Sequence, residues 1–311
     1  MKIFTKTYYA LFIILGTLLL TELILSSFYD LPFSQSVADL GSSFGLIGAS
    51  FGEILGWGMM GVFGAMAFRL AQKSCKALFK VLFIAFGAVV VGVSAFLVFS
   101  DLNSSHNGFK EISSLFVRIL IAVVTESAIV GVSFFAIDID DFKTLLVFWL
   151  VLMGAYYLGL AINFIVKAAV LRPRYRLIWN GYEGYGVGDL FEEWYRSGAS
   201  SLAEKVFPYD VVHSDDFKSF PSGHSFVSMS AILVSYLPLL NKKAQSKNWV
   251  RYLLFSLMSI YGLTVAFSRI VYGAHYLSDT SIGGLLAVIP AFFVPWIAFR
   301  LLAKKGLLQE C

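Results

Sequence analysis

An all-α, polytopic transmembrane helical bundle is the fold this sequence predicts, and three observations carry that expectation. Apolar residues make up 58% of the 311-residue chain and charged residues only 14%, with a mean hydropathy of +0.76 and 30 phenylalanines, far from the composition of soluble domains. Windows of about 20 apolar residues, the length needed to cross a bilayer, recur about eight times, near 8–28, 49–68, 80–100, 116–137, 144–166, 222–240, 251–268 and 280–300. Lys and Arg gather between those windows, so the net charge of +4 reports topology, and no nucleic-acid partner is expected.

Taken in order, the first window is too long for a signal-peptide core and has no clear cleavage site, which makes it a retained span. The second carries Gly45, Gly48, Gly52, Gly56, Gly61 and Gly64, a small-residue pattern that lets helix backbones approach closely in lipid. Glu22, Glu53 and Glu126 fall inside apolar windows, where an ionisable group is a functional suspect by default. The structural explanation is preferred for all three: Glu22 and Glu53 snorkel towards the outer surface, or a buried carboxyl is protonated or hydrogen-bonded. Residues 101–115 form a turn-rich outer loop in which His106 is a solvated imidazole.

Orientation follows from the cations. Fourteen of the 24 Lys and Arg residues fall on one set of alternate loops, and seven of the other ten lie in the single long segment 167–220. Both termini are therefore expected in the cytoplasm, with the acidic loop from Asp138 to Lys143 dissenting weakly. Cys75 and Cys311 fall on that cytoplasmic side, so no disulfide framework is implied, and neither has metal-site company.

The fifth window ends at Lys167 and runs into Leu171-Arg172-Pro173-Arg174-Tyr175-Arg176, a cationic cluster on the face where the positive-inside rule does not expect one. Residues 177–220 are the one long polar segment, with Trp179, Tyr182, Tyr185, Phe191, Trp194 and Tyr195 interleaved among Gly and acidic residues. Asp189 and Glu192 resemble a capping pair that starts a short helix running to about Leu202, on the outer leaflet or as a lid; a surface loop with its own small core is the other reading. His213 is a bystander.

Ser219-Phe220-Pro221-Ser222-Gly223-His224-Ser225 then opens the sixth window, and a helix start with unpaired N–H groups is a ready anion site, with His224 beside it. A last polar island, Ser268-Arg269 through His275 to Asp279, separates the seventh and eighth windows. If a helix starts near Ala274, Asp279 lies on the face of His275 and holds one imidazole nitrogen, leaving the other to attack. Arg269 supplies paired donors for an oxyanion. By topology all three clusters emerge on one side of the membrane. Together they offer cations (Lys167, Arg172, Arg174, Arg269), helix-start amides around Ser222 and Gly223, two histidines and one carboxylate, with no metal-ligand set.

Lys-x6-Arg, Pro-Ser-Gly-His and Ser-Arg-x5-His-x3-Asp resemble the three signatures of the type 2 phosphatidic acid phosphatase (PAP2) superfamily. The likeness runs from Lys167 to Asp279, with two departures: Arg174 is followed by Tyr175, the Arg-Pro pair being Arg172-Pro173, and five spans precede the long segment where members of the family often have three. It implies a PAP2-type helical core with one long extracytoplasmic loop, and a metal-independent phosphatase without cofactor. It further implies that His275 attacks phosphorus to form a phosphohistidine, that Asp279 fixes its tautomer and that His224 is the acid for the leaving group. Lys167, Arg174, Arg269, Ser222 and Gly223 would hold the phosphoryl oxygens.

The expected organisation is residues 1–143 as N-terminal spans and 144–311 as the catalytic core, in the plasma membrane with the site facing outward. Expected partners are a lipid phosphate substrate, a phosphomonoester or diphosphate, and membrane lipids; the oligomeric state stays open. Two other functions fit less well. A transferase of the same superfamily would pass the phosphoryl or head group to another alcohol, and an anion transporter would be expected to show an inverted repeat, which is not seen.

Overall fold

The computed structural model describes residues 3–104, 109–196, 202–207 and 214–304; His106, His213 and Cys311 lie outside these described residues. Within them the chain is an all-α polytopic bundle with no strand, and eight helical spans are long and apolar enough to cross a membrane. The spans are Lys6–Val37 (α1), Ser43–Lys73, Ala77–Leu102 (α4), Leu115–Ala136 (α6), Phe142–Ala169 (α7), Gly223–Leu240, Asn248–Val271 (α12) and Leu277–Lys304 (α13), with a short helix Phe109–Ile112 (α5) before α6. Large apolar side chains face outward along them, such as Phe28 (74% exposed) and Phe135 (77% exposed). In water such a surface would aggregate; against acyl chains it is the expected exterior.

Capping chemistry sets several helix starts. Thr5, Ser114 and Asp141 each accept a backbone N–H of the first turn, at α1, α6 and α7 respectively, satisfying donors that no helical carbonyl reaches. At one end of the bundle the acidic loop is explained by its neighbours: Asp140 pairs with Lys73 at 3.6 Å and with Lys242. Its charge is thus offset by cations of the two adjacent loops.

Two spans depart from regular helices. The second is broken: α2 (Ser43–Phe51) stops at Gly52, and α3 (Ile54–Lys73) starts after Glu53. The sixth begins as an α-helix, Gly223–Ser230 (α11), and continues as 3₁₀ from Ala231 to Leu240. Pro238 has no N–H to give to an α-helical ladder, and Ser235 Oγ donates to Ile232 O at 2.6 Å, both of which favour the tighter helix. The change lengthens the span. Eight α and ten 3₁₀ residues reach about 32 Å, against about 27 Å for 18 α-helical residues, and so bridge a hydrocarbon layer of about 30 Å.

α13 packs against α7, α11 and α1, while α12 packs on α2, α11 and the 3₁₀ stretch. α3 lies against α4, α6, α7 and α11, so packing runs across residue 143. The glycines of the second span make that possible, as at Gly56, whose Cβ, were there one, would sit 1.9 Å from the backbone oxygen of Val227. The segment after α7 holds three short helices, Tyr175–Ile178 (α8), Val187–Leu190 (α9) and Leu202–Val206 (α10), over a small core of Ile178, Leu190, Ala203, Phe207 and Phe217. The helix expected from Asp189 to about Leu202 is not formed: Asp189 closes back on Gly186 N as the third residue of α9, and Phe191 is already extended. Of the two readings of this segment, the loop with its own core is the one observed.

Candidate active site

The first cluster is arranged by the end of α7 and the strand-like stretch after it. Lys167, in the last turn, donates to Lys218 O at 3.0 Å, and its side chain lies 4.0 Å from where a Gly223 Cβ would be. Arg172 and Arg174 then alternate along an extended backbone that pairs with the segment before Ser219, through Arg172 N to Phe217 O (2.7 Å), Arg174 N to Asp216 O (2.8 Å) and Ser219 N to Arg172 O (3.0 Å). One cluster is thereby stitched directly to the next.

The two arginines have different fates. Arg172 is fully buried and each of its three nitrogens is engaged: Nη1 on Asp279 Oδ1 (2.5 Å) and Ser278 Oγ (2.8 Å), Nη2 on Asp30 Oδ2 (2.8 Å), Nε on Glu192 O (2.7 Å). Burial works against its charge, but Asp279 and Asp30 outweigh that and raise its pKa, so it is a permanent cation inside the fold. Arg174 instead donates to Asp215 through Nε and Nη2 (2.9 and 2.8 Å) and brings Nη1 to 3.4 Å from His275 Nε2. Burial pulls its pKa down, with Asp215 opposing. Of the two, Arg174 is the one at the His275 imidazole.

His275 is delivered by a helix stop. α12 ends in a Schellman arrangement, with Gly273 N bonded to Ile270 O (2.9 Å) and Ala274 N to Arg269 O (3.0 Å), and Gly273 takes φ +64°, which a side chain would oppose. The chain turns, and α13 starts at Leu277, three residues later than a start near Ala274. His275 therefore precedes the helix and does not share its face with Asp279. The pair still approaches, Nδ1 to Oδ2 being 3.7 Å, but Nδ1 is bonded to Ser219 O at 2.7 Å. A carbonyl oxygen only accepts, so Nδ1 carries the proton and Nε2 keeps its lone pair. Asp279 acts one step back, taking Tyr276 N (2.8 Å), Arg172 and Ser219 Oγ. The fixing of the tautomer thus belongs to the Ser219 carbonyl, with Asp279 bracing the residues around it. Burial above all, aided by Arg174 and Lys167 and resisted by Asp279, pushes the His275 pKa well below the usual imidazole value, so the ring is neutral at pH 7.

The second cluster starts α11. Ser222 is its N-cap: Oγ accepts Ser225 N (3.2 Å), and its own N–H goes to Asp279 O (2.9 Å). Its side chain is thereby engaged in the helix start, and the amides left for an anion are those of Gly223 and His224, which no helical carbonyl reaches. Arg269, buried in the last turn of α12, has Nε and Nη1 without a partner among the described residues, although it is near enough to Arg174 and Glu53 for their charges to act on it. Buried guanidinium donors left open beside cations are what an anion site requires.

His224 holds an acceptor at each nitrogen: Glu53 Oε1 3.1 Å from Nδ1, and Ala49 O 3.1 Å from Nε2. The Ala49 carbonyl is available because α2 stops two residues on, leaving its last carbonyls without helical partners. Glu53 is 7% exposed, so it does not snorkel. Glu22 accepts weakly from Ser281 Oγ (3.4 Å), and Glu126 accepts Ser94 Oγ (2.9 Å) away from the site. Missed from the sequence were Asp30, which binds Ser278 N (2.9 Å) as well as Arg172, Asp215, and the Ser219 carbonyl. Asp30 is separated from Ser278 by 248 positions, and no local pattern announces such a pairing.

The site is built from the ends of α7 and α12 and the starts of α11 and α13, with Lys167, Arg174, Arg269, His224, His275 and Asp279 drawn together. No curated protein and no solved structure matched the chain. The family model of the PAP2 superfamily matches residues 145–303, a range that contains all six of these side chains and all three motifs, and the chain belongs to that superfamily.

Proposed function

We propose that the protein, a membrane phosphatase by family, hydrolyses a lipid phosphomonoester or diphosphate through a phosphohistidine, without a metal. The observation that carries this reading is the state of His275: its Nδ1 proton is tied to Ser219 O, so Nε2 presents a lone pair beside Arg174. Phosphorus is attacked by that lone pair while Lys167, Arg174, Arg269 and the first amides of α11 hold the equatorial oxygens and neutralise the charge that grows there. His224, with an acceptor at each nitrogen, is poised to carry two protons and to give one to the leaving oxygen. Ser222 then contributes by fixing the helix start and not through its hydroxyl. The extracytoplasmic face of the plasma membrane, with both termini inside, completes the reading.

The test is phosphate release from purified protein in excess chelator, against phosphatidate, phosphatidylglycerol phosphate, isoprenyl diphosphates and lipid A phosphates. We expect turnover on at least one, and a loss of about 10²-fold or more in kcat for His275→Ala, the usual cost of removing such a group. Retention of more than about a tenth of the wild-type kcat, or dependence on added Mg²⁺ or Zn²⁺, would overturn the mechanism. Release that appears only when an acceptor alcohol is added would make it a transferase.

A further inference from the structure

Helices outside the family match reach into the site, and one of them brings a charge to His224. Glu53 sits at the break between α2 and α3, caps nothing with its side chain, and sends its carboxylate to His224 Nδ1 at 3.1 Å. Its other oxygen is held by Trp57 Nε1 at 2.9 Å, one turn along α3. The same Trp57 N–H is shared with Asp101 Oδ2 at 2.9 Å, from the last turn of α4. So the carboxylate facing His224 is gripped by an indole N–H that it shares with the carboxyl group of Asp101, itself hydrogen-bonded to Glu53.

The backbone fixes the register of this contact. Gly56 is three residues beyond Glu53 and crosses Val227, three residues beyond His224, with no room for a Cβ between them. One turn nearer the site on both helices, the carboxylate and the imidazole must meet. A buried carboxylate within a membrane span is costly and persists where it is paired or used. A purely structural partner for His224 is already supplied by Ala49 O, which leaves the charge of Glu53 unexplained by packing.

We infer that Glu53 is the positioning residue for the proton donor: it fixes the tautomer of His224 through Nδ1 and stabilises its imidazolium, so that Nε2 is the nitrogen that serves the leaving group. The inference rests on the reading above that His224 protonates that group. In the first step the His275 Nε2 lone pair forms the N–P bond as the P–O bond breaks, and the leaving oxygen takes its proton from His224 Nε2, replacing Ala49 O as that nitrogen's partner. In the second, His224 Nε2 takes a proton from water as the water oxygen bonds phosphorus, and the N–P electron pair returns to His275. Glu53 stays ionised throughout and exchanges no proton.

The role makes leaving-group chemistry the readout. An alkyl phosphate needs its leaving oxygen protonated, whereas p-nitrophenyl phosphate does not. Glu53→Gln should lower kcat on a short-chain alkyl lipid phosphate by about 10²-fold with KM little changed, and on p-nitrophenyl phosphate by less than about 5-fold. Glu53→Asp should recover part of the loss. Trp57→Phe, which keeps the ring and removes the N–H, should give the same selectivity at a smaller size and guards against a Gln variant that does not fold. Equal losses on both substrates in Glu53→Gln or Trp57→Phe, or no loss in either, would overturn the inference. His224→Ala separates it from its foundation: if that variant discriminates between the substrates and Glu53→Gln does not, only the role of Glu53 falls. If His224→Ala fails to discriminate, the assignment of the acid fails and this inference with it.

Discussion

Arg172 and Arg174 are two residues apart on an extended stretch, meet different partners, and illustrate how little residue type says about role. Arg172→Ala would leave Asp30 and Asp279 buried without their cation, a loss of about 3–5 kcal/mol by analogy with broken buried pairs, and should appear as a lower melting temperature in detergent. Arg174→Ala should leave melting nearly unchanged and raise the barrier by about 2–4 kcal/mol in kcat, the cost of a charge-stabilising donor. Equal kinetic losses with equal melting would mean that the two guanidiniums form one clamp. His275 adds a pH dependence. Its folded pKa lies well below the ordinary imidazole value, so below about pH 6.5 the unfolded chain binds a proton that the native site refuses, and stability falls on acidification. At this residue nothing is lost between pH 7 and 9. Melting curves of wild type and His275→Gln should converge as the pH is lowered from 7 towards 5.5; parallel curves would show that the imidazole is not held neutral.

Among the elements, the broken second span does the most. A continuous helix through residues 43–73 would keep Ala49 O in its own hydrogen-bond ladder and would not place Glu53 at a helix start. With the break, Ala49 O goes to His224 and Phe51 and Gly52 carbonyls go to Tyr261 OH, at 3.4 and 2.8 Å. Every orphan carbonyl named here has been given to the helices that carry the motifs. The close approach at Gly56 follows from the same element, and Gly56→Ala places a methyl against a backbone oxygen that cannot rotate away. We expect that variant to melt lower and to lose kcat by about 10-fold or more, because a displacement of about 1 Å between Glu53 and His224 disorients the donor. Gly92→Ala, where a methyl would meet nothing within 4 Å, is the matched control and should be neutral in both measurements.

For the whole molecule, the fold places the four motif-bearing helix ends together at one face, and we propose from the cation count of alternate loops that this face lies outside the cell. Cysteine labelling of intact cells checks the orientation. In a background lacking Cys75 and Cys311, an impermeant reagent should modify Tyr185→Cys but not Gln245→Cys, both of which are exposed positions at opposite ends of the bundle. The reverse pattern would invert the topology. At this scale too, residues 1–104 are not an appendage: Asp30 and Glu53 enter the site from α1 and from the α2–α3 break, and the family match beginning at residue 145 covers only part of what the motif residues touch.

What the sequence determined by itself was whatever depends on neighbours along the chain or on the solvent. Eight apolar windows announce eight spans because a bilayer selects length and hydropathy, and Lys167, Arg174, His224, Arg269, His275 and Asp279 are legible because their spacings are tied to helix ends. Only the tertiary structure decided which groups those side chains would face. Ser219 O holds His275 in place of Asp279, Arg172 is locked by Asp30, and Glu53 meets His224 across 171 positions, since contacts between distant helices are set by packing at Gly56 and Gly48, which no local periodicity encodes. The 3₁₀ continuation of the sixth span was likewise hidden, because apolar composition measures how many residues can lie in lipid and not how far each of them rises.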